Sequence, residues 1–339
     1  MTQMIPASAS EPAVKLPTFA DVQAAAQRLQ DLAVRTPLIE SPALNDRVGG
    51  RVLMKAETLQ RTGSFKFRGA FNRISQIPEA DRAGGVVAYS SGNHAQGVAA
   101  AAALLGLPAV IVMPADAPAI KVENTRGYGA EVVFYDRYSE KREEIGATIA
   151  KERKATLVKP YDDPGVIAGQ GTCGLEIFEE AKRRDVTLDA LLVCCGGGGL
   201  TAGCGLALEA LSPSTALYTV EPQGYDDTKL SFHAGKPVPH GEAPSSICDA
   251  LLAPRPGDLT FAVNRDRMAG GLTVSDAEVK EAMRYAFRTL KLVIEPGGAV
   301  CLAAVLAGKL DVAGRATGIT LSGGNVDAEL YRAVLAEDG

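Results

Sequence analysis

A chain of 339 residues, 46% hydrophobic and 22% charged, carries enough apolar side chain for a full core and enough length for two domains or one large one. Thirty-five Lys plus Arg against 40 Asp plus Glu leave a net charge of −5, so no basic excess argues for nucleic acid or an anionic membrane surface, and a small-molecule partner is expected. Residues 1–16 have neither an apolar core of signal-peptide length nor an Arg-rich amphipathic pattern, so they read as a loose tail on a cytoplasmic protein. None of the six cysteines has C-x-x-C spacing, which leaves buried free thiols as the expectation.

Ala20 to Val34 has helical apolar spacing, and Arg35-Thr36-Pro37 breaks it into an extended lead-in. Asn45 to Gly50 reads as a turn, and Arg51 to Glu57 as a strand that delivers the chain to Thr62-Gly63-Ser64-Phe65-Lys66-Phe67-Arg68-Gly69-Ala70. Here a lysine sits among small residues and between two aromatic ones. Desolvation by those rings would disfavour the ammonium form and leave a neutral amine able to attack a carbonyl, the chemistry of a Schiff-base lysine for pyridoxal phosphate (PLP). A lysine snorkelling past aromatic neighbours would look the same.

From Gly84 onward short apolar strands alternate with helical segments: Val86–Ser90, Ala95–Leu105, Ala109–Met113, Ala119–Tyr128, Glu131–Tyr135, Glu140–Arg153 and Thr156–Val158. The same alternation resumes at Ala190–Val193, Leu200–Leu211 and Ala216–Glu221, and closes with Thr317–Leu321. Such a series predicts two open α/β sandwich units with parallel-type sheets and ligands at the carboxyl ends of the strands. No solenoid period and no apolar run of membrane-spanning length occurs.

Several loops at those strand ends carry chemistry. Ser90-Ser91-Gly92-Asn93-His94 opens a helix, where amides and hydroxyls suit a carboxylate, although a plain N-cap would use the same residues. Gly196-Gly197-Gly198-Gly199 lies between a buried strand and a small-residue helix, where a bare backbone can fold around a phosphate. Gly169-Gln170-Gly171-Thr172-Cys173-Gly174 formally matches G-x-G-x-x-G, but a turn precedes it and not a strand, so no dinucleotide site is read there. Glu221 to Asp227 gathers three carboxylates after a strand, either a solvated acidic turn or a site for a hard cation. Glu295-Pro296-Gly297-Gly298-Ala299 and Ser322-Gly323-Gly324-Asn325 are small-residue turns that let backbone approach a planar ligand.

In this order GSFKFRGA, SSGNHAQG, AGQGT, GGGGL, the VEP strand end, EPGGA and LSGGN resemble the fold-type II (tryptophan synthase β-like) PLP enzymes, specifically the serine/threonine dehydratase and serine racemase group, over residues 18–330. The resemblance implies a large PLP-binding domain of residues 1–84 and 163–339 with a small domain, 85–162, inserted in it. It makes Lys66 the Schiff-base residue, packs Phe65 on the pyridine ring, sets Asn93 at the ring hydroxyl and Ser322 at the ring nitrogen, and gives the phosphate to Gly196, Gly197, Gly198 and Gly199 with Leu200. Ser90, Ser91, Gly92 and His94 would meet the substrate carboxylate, with Ser91 acting on the ring's opposite face, and Arg142 or Arg255 would meet a second carboxylate. Glu221, Asp227 and the carbonyl of Tyr225 match the Mg²⁺ (or Ca²⁺/Mn²⁺) site of the racemase-like branch.

The implied activity is an ammonia-lyase acting on 3-hydroxyaspartate, serine or threonine. The alternatives are a serine- or aspartate-type racemase, a PLP-dependent β-replacement synthase, and a ligand sensor without catalysis. A homodimer is implied, and no feedback control by isoleucine, since the chain stops at Gly339. Two departures bear on substrate choice. Cys248-Asp249-Ala250 stands where the family has Ala-Asp-Gly, and Leu251 to Pro256 lacks the serines of serine racemases.

Overall fold

The computed structural model describes residues 15–90, 92–117, 119–242 and 244–337. Most of the tail, and Ser91, lie outside the described residues. The chain runs through α1 (Phe19–Leu29), β1 (Leu38–Glu40), α2 (Pro42–Val48), β2 (Arg51–Ala56) and α3 (Lys66–Ser75). It continues through β3 (Val86–Tyr89), α4 (Asn93–Leu104), β4 (Ala109–Pro114), α5 (Ala119–Gly127), β5 (Glu131–Tyr135), α6 (Arg142–Arg153) and β6 (Thr156–Leu157). After α7 (Pro164–Arg183) come β7 (Ala190–Cys194), α8 (Gly199–Leu211), β8 (Ala216–Pro222), α9 (Asp227–Ala234), α10 (Asp258–Asn264) and β9 (Met268–Val274). The last elements are α11 (Asp276–Tyr285), α12 (Pro296–Leu306), β10 (Ala316–Leu321) and α13 (Ala328–Ala336). No helix among the described residues is long and apolar enough to cross a membrane.

Two sheets form. One has the order β1-β2-β10-β7-β8-β9, parallel throughout except for the antiparallel edge strand β1, and the other is a parallel sheet of order β5-β4-β3-β6. Their strands are apolar on both faces, as helix-covered parallel strands must be: Leu191, Leu192, Val193, Ile319 and Leu321 in one, Val87, Ile111 and Val112 in the other, all completely or almost completely buried. Each such side chain contributes roughly 1.5–3 kcal/mol of transfer free energy. Because the pairing is parallel, β2, β7, β8 and β10 end at one edge, which collects their following loops.

Local signals explain where the elements differ from expectation. The first helix stops at Leu29 and not Val34: Asp31 takes a left-handed φ of 61°, and the Gln60 side chain binds both the N–H and the carbonyl of Val34, holding it out of a helix. The expected turn at 45–50 is the second half of α2. Ser41 caps that helix by accepting from Leu44 N, Pro42 occupies its first position, and Gly49 closes it at φ 69°.

The G-x-G-x-x-G match lies inside α7, where its glycines serve helix packing. A Cβ on Gly171 would come within 2.8 Å of the Gly203 carbonyl on α8, and one on Gly174 within 2.8 Å of the Cys204 Cα. One on Gly169 would meet the Gly69 Cα on α3 at 2.8 Å. Thus α7 lies against two helices that both begin at the strand-end edge.

A buried ionic cluster ties α3 to β2 and α7. Arg68 donates from Nε and Nη2 to Glu57 (2.8 Å each) and from Nη1 and Nη2 to Glu176 (2.7 and 2.9 Å). Lys55 donates to Glu176 and to the Thr36 carbonyl at 2.6 Å. Two cations thus balance two anions, and burial is compensated by nearly complete hydrogen bonding. Arg68→Met leaves two buried carboxylates with one lysine, so we expect it to cost about 3–5 kcal/mol in denaturant unfolding. A variant unfolding at the wild-type midpoint would show that the cluster anchors nothing.

Candidate active site

The cavity that matters lies between the carboxyl edges of the two sheets, and Lys66 is at its floor. The lysine segment is tied to the end of β10: Ser64 forms a β-bridge with Gly323, and Phe65 N donates to the Ser322 carbonyl at 3.1 Å. Lys66 then begins α3, two residues ahead of the anchored Arg68. Successive helical residues diverge around the axis, so the two aromatic neighbours do not both flank the lysine. The Phe65 ring lies 5.1 Å from Nζ, whereas Phe67 turns away to pack on Phe71 and under Arg61.

Lys66 Nζ donates to the Pro160 carbonyl at 3.0 Å and forms no ion pair among the described residues. Desolvation pushes its pKa down to about 8, against the weaker pull of Cys194 and Glu295. An ordinary lysine amine is almost wholly charged at neutral pH. This one is a usable nucleophile and base.

Facing it, the loop between β7 and α8 is bare backbone. Its outer side is tied down: the Gly197 carbonyl accepts from Gly257 N at 3.3 Å and Thr260 Oγ1 at 2.7 Å, and the Gly198 carbonyl from Asn264 Nδ2 at 3.1 Å. In a planar trans peptide the N–H points opposite to the carbonyl, so the N–H groups of Gly198 and Gly199 are turned the other way, at the start of α8. Gly198 adopts φ 88°, which L side chains resist, and a Cβ on Gly199 would meet Gln170 Oε1 at 2.6 Å. That Gln170 oxygen is buried with no protein hydrogen-bond partner among the described residues.

Asn93, at the start of α4, donates to Glu295 Oε1 at 2.6 Å and accepts from Asn325 Nδ2 at 2.7 Å. Glu295 is buried without a cation partner among the described residues, and burial pushes its pKa up to about 8. His94 is buried beside them, with Nε2 2.9 Å from the Val158 carbonyl. A carbonyl only accepts, so Nε2 carries the proton. Desolvation and then the Lys66 charge press the pKa of His94 down to about 3, keeping the ring neutral and Nδ1 an acceptor. The imidazole therefore has no second N–H to offer a carboxylate.

Ser90, Gly92, Leu200, Ser322 and Arg142 also line the cavity, whereas Arg255 does not: it is exposed and pairs with Asp258 at 2.8 Å within its own turn. Arg142 lies over the Tyr89 ring, 5.6 Å from its centroid, and among the described residues pairs only with the neighbouring Glu143. Ser91 is not described. Two lining contacts were not read from sequence, and a third feature, the segment without serines, was. Lys121 on α5 pairs with Asp249 across the cleft at 2.6 Å, Glu295 supports Asn93, and Leu251, Leu252 and Pro254 form an apolar wall where serine racemases have serines. Ion pairs and supports between residues 128 or 202 positions apart leave no local pattern to find.

A second cluster stands at the end of β8. Glu221 is buried and accepts from Thr228 N (2.8 Å) and Lys229 N (2.9 Å). Asp227, also buried, has neither carboxylate oxygen paired among the described residues. Burial, and then Asp227 itself, raise the Glu221 pKa well above the usual range, and burial raises Asp227 to about 7. Tyr225 lies in the same turn, its ring packed on His240 at 4.7 Å. No trio of His, Cys, Asp or Glu side chains that could hold a metal is found among the described residues, so any cation here would need backbone oxygens as well.

Residues 29–323 match the model of the pyridoxal-phosphate-dependent enzyme family. The chain belongs to that family. It is 49% identical to an L-threo-3-hydroxyaspartate ammonia-lyase of Pseudomonas sp, over 95% of this chain and 99% of the relative. It is 44% identical to an L-threo-3-hydroxyaspartate ammonia-lyase of Saccharomyces cerevisiae (96% and 98%). The structure of maize serine racemase superposes with a TM-score of 0.88 at 37% identity, covering 94% of this chain and 97% of that one. The fold is that of the fold-type II PLP enzymes.

The residues fit the cofactor that the family name implies. An amine with a depressed pKa suits the aldehyde, and a side-chain-free loop with inward N–H groups suits the phosphate. Only the neutral amine attacks an aldehyde, so we expect the rate of PLP uptake by cofactor-free protein to rise with pH to a plateau, half-maximal at about 8. Stopped-flow absorbance measures this, and a midpoint near the ordinary lysine value of 10.5 would remove the desolvation argument. Lys66→Ala should take up no covalently held, yellow cofactor.

Proposed function

We propose that the protein is a PLP-dependent ammonia-lyase that converts 3-hydroxyaspartate, with serine and threonine as lesser substrates, to the 2-oxo acid and ammonia. One observation carries the choice of a dicarboxylate: the Lys66 amine shares its cavity with Arg142, a cation seated on Tyr89 whose only ion-pair partner among the described residues is the exposed Glu143. A second carboxylate can replace Glu143 in a bidentate contact. The two ammonia-lyase relatives support the same reading.

Bound PLP supplies an electron sink for the negative charge left at Cα when its proton is removed. Lys66 Nζ would take that proton. The loop Ser90 to Gly92, with Ser91 in it, would hold the α-carboxylate, and the neutral His94, its Nε2 spent on the Val158 carbonyl, would have Nδ1 left as an acceptor for a substrate donor. Phe65 would pack against the ring, Asn93 would meet its hydroxyl, Ser322 its nitrogen, and Gly196 to Gly199 with Leu200 would hold the phosphate. A serine at the ring nitrogen, unlike an aspartate, would not hold a proton there, and the Lys66 ammonium formed by taking the Cα proton would supply the proton with which the β-hydroxyl leaves as water. Hydrolysis of the released enamine then gives the oxo acid and ammonia.

Residues 85–162 form the small domain inserted in the large one, a division supported by strands β3 to β6 pairing only with each other. The protein is read as a cytoplasmic homodimer by resemblance to the family, which gel filtration with light scattering tests. A racemase reading is favoured by the similarity to maize serine racemase; chiral analysis of residual substrate decides it.

The test is ammonia release from 3-hydroxyaspartate, L-serine and L-threonine. Arg142→Ala should reduce kcat/KM for the dicarboxylate about a hundredfold while leaving the other two within a few-fold. If the dicarboxylate is the poorest substrate, or Arg142→Ala affects all three equally, a serine/threonine dehydratase remains.

Glu221, Asp227 and the Tyr225 carbonyl hold Mg²⁺, or Ca²⁺ or Mn²⁺, supported by the unpaired buried Asp227 carboxylate. A carboxyl whose folded pKa, about 7, exceeds its ordinary 3.8 binds more protons folded than unfolded between those values. Without a cation, stability should therefore fall as pH rises through that window. In EDTA we expect the melting temperature to drop across it, and added Mg²⁺ to restore it most above neutrality. A melting curve indifferent to both additions removes the cation.

A further inference from the structure

Asn93 can be oriented without reference to how its side-chain atoms were assigned. The Thr62 carbonyl can only accept, so the Asn325 group 2.8 Å from it is the NH₂. The second hydrogen of that NH₂ points to Asn93, 2.7 Å away, which must therefore present its oxygen there. The Asn93 NH₂ is left facing Glu295 Oε1 at 2.6 Å. One N–H of Asn93 is used by Glu295 and one remains, at a residue that lines the cavity beside Lys66 and Ser322.

Glu295 is an unusual group to place there. It is 4% exposed and has no ion-pair partner among the described residues, although Lys66, Lys121 and Asp249 are all close enough to influence it. Its position is enforced by backbone. Glu295 N donates to the Gly323 carbonyl at 3.0 Å, and a Cβ on Gly323 would overlap Oε1, so only glycine leaves room for the carboxyl beside the end of β10. An unpaired buried carboxylate would be costly, whereas a neutral acid avoids the buried charge and still accepts from Asn93.

We propose that Glu295 is a positioning residue: through the chain Glu295–Asn93–Asn325–Thr62 it locks the Asn93 amide so that a single N–H, and never the oxygen, is offered to the ring hydroxyl of bound PLP. This deepens the proposed function and rests on its placing of Asn93 at the ring hydroxyl. An N–H donor stabilises the ionised hydroxyl and hence one protonation form of the cofactor, which has its own visible absorbance. Without the Glu295 acceptor the amide would be held from the Asn325 side alone and would offer its oxygen part of the time, favouring the other form.

The test compares cofactor-loaded wild type, Glu295→Ala, Glu295→Gln and Asn93→Ala at one pH, reading the ratio of the visible to the near-ultraviolet cofactor bands and the PLP dissociation constant. Gln is the shape and hydrogen-bonding equivalent of a neutral acid. Glu295→Gln should therefore keep the wild-type ratio, while Glu295→Ala and Asn93→Ala should shift it and weaken PLP binding about tenfold, the scale of one lost hydrogen bond. An unchanged spectrum in Asn93→Ala would sink the placing of Asn93 itself. A changed spectrum there with an unchanged one in Glu295→Ala would overturn only the role of Glu295, as would Gln behaving like Ala. Should Glu295→Ala not fold, Asn325→Ala removes the other end of the chain and is read by the same ratio, an unchanged value again overturning the lock.

Discussion

The structure is organised around a lysine that has to be cationic only part of the time. Desolvation alone lowers an amine's pKa, but any carboxylate in contact would raise it again, so the surroundings must be dry and free of counter-ions at once. The half-buried Lys66 approaches both conditions. Lys66 Nζ touches a carbonyl and an aromatic ring, the acid near it is held off by Asn93, and the residue at the end of β10 is a serine. Holding the amine there falls to the backbone ties of Ser64 and Phe65 to β10 and to the Arg68 cluster two residues further on.

Much of this was legible in the chain because it is local. A βα alternation, a lysine among small and aromatic residues and four consecutive glycines after an apolar strand all act over a few residues, and each of these elements forms where the pattern put it. What escaped was non-local or depended on φ. The lengths of α1 and α2 were decided by Asp31, Gly49 and a glutamine far along the chain. Lys121 with Asp249, and Glu295 with Asn93, become partners only when the two sheets face one another.

The glycines show why composition alone misleads. Gly169 to Gly174 and Gly196 to Gly199 are both glycine-rich, and one even matches a nucleotide-binding fingerprint. The first series is buried in α7 against α3 and α8, where absent side chains allow close helix contact; the second is at a strand end with its carbonyls pulled outward. Strand context, available in the sequence, separates them.

The buried acids divide by the same physics. Burial opposes ionisation of Glu57, but Arg68 and Lys55 bring its pKa below the ordinary range, so it is a fixed charge with a mechanical task. Glu295, Glu221 and Asp227 are buried without a cation in contact among the described residues, and their pKa values move the opposite way. Folding gains nothing from such groups unless something outside the chain completes them or a neutral acid is itself what is wanted. A cation at the end of β8 would supply the first case. A hydrogen-bonded acid behind Asn93 is the second, and it can stand near Lys66 because a largely neutral carboxyl pulls the amine only weakly toward its charged form, less than desolvation pushes it the other way.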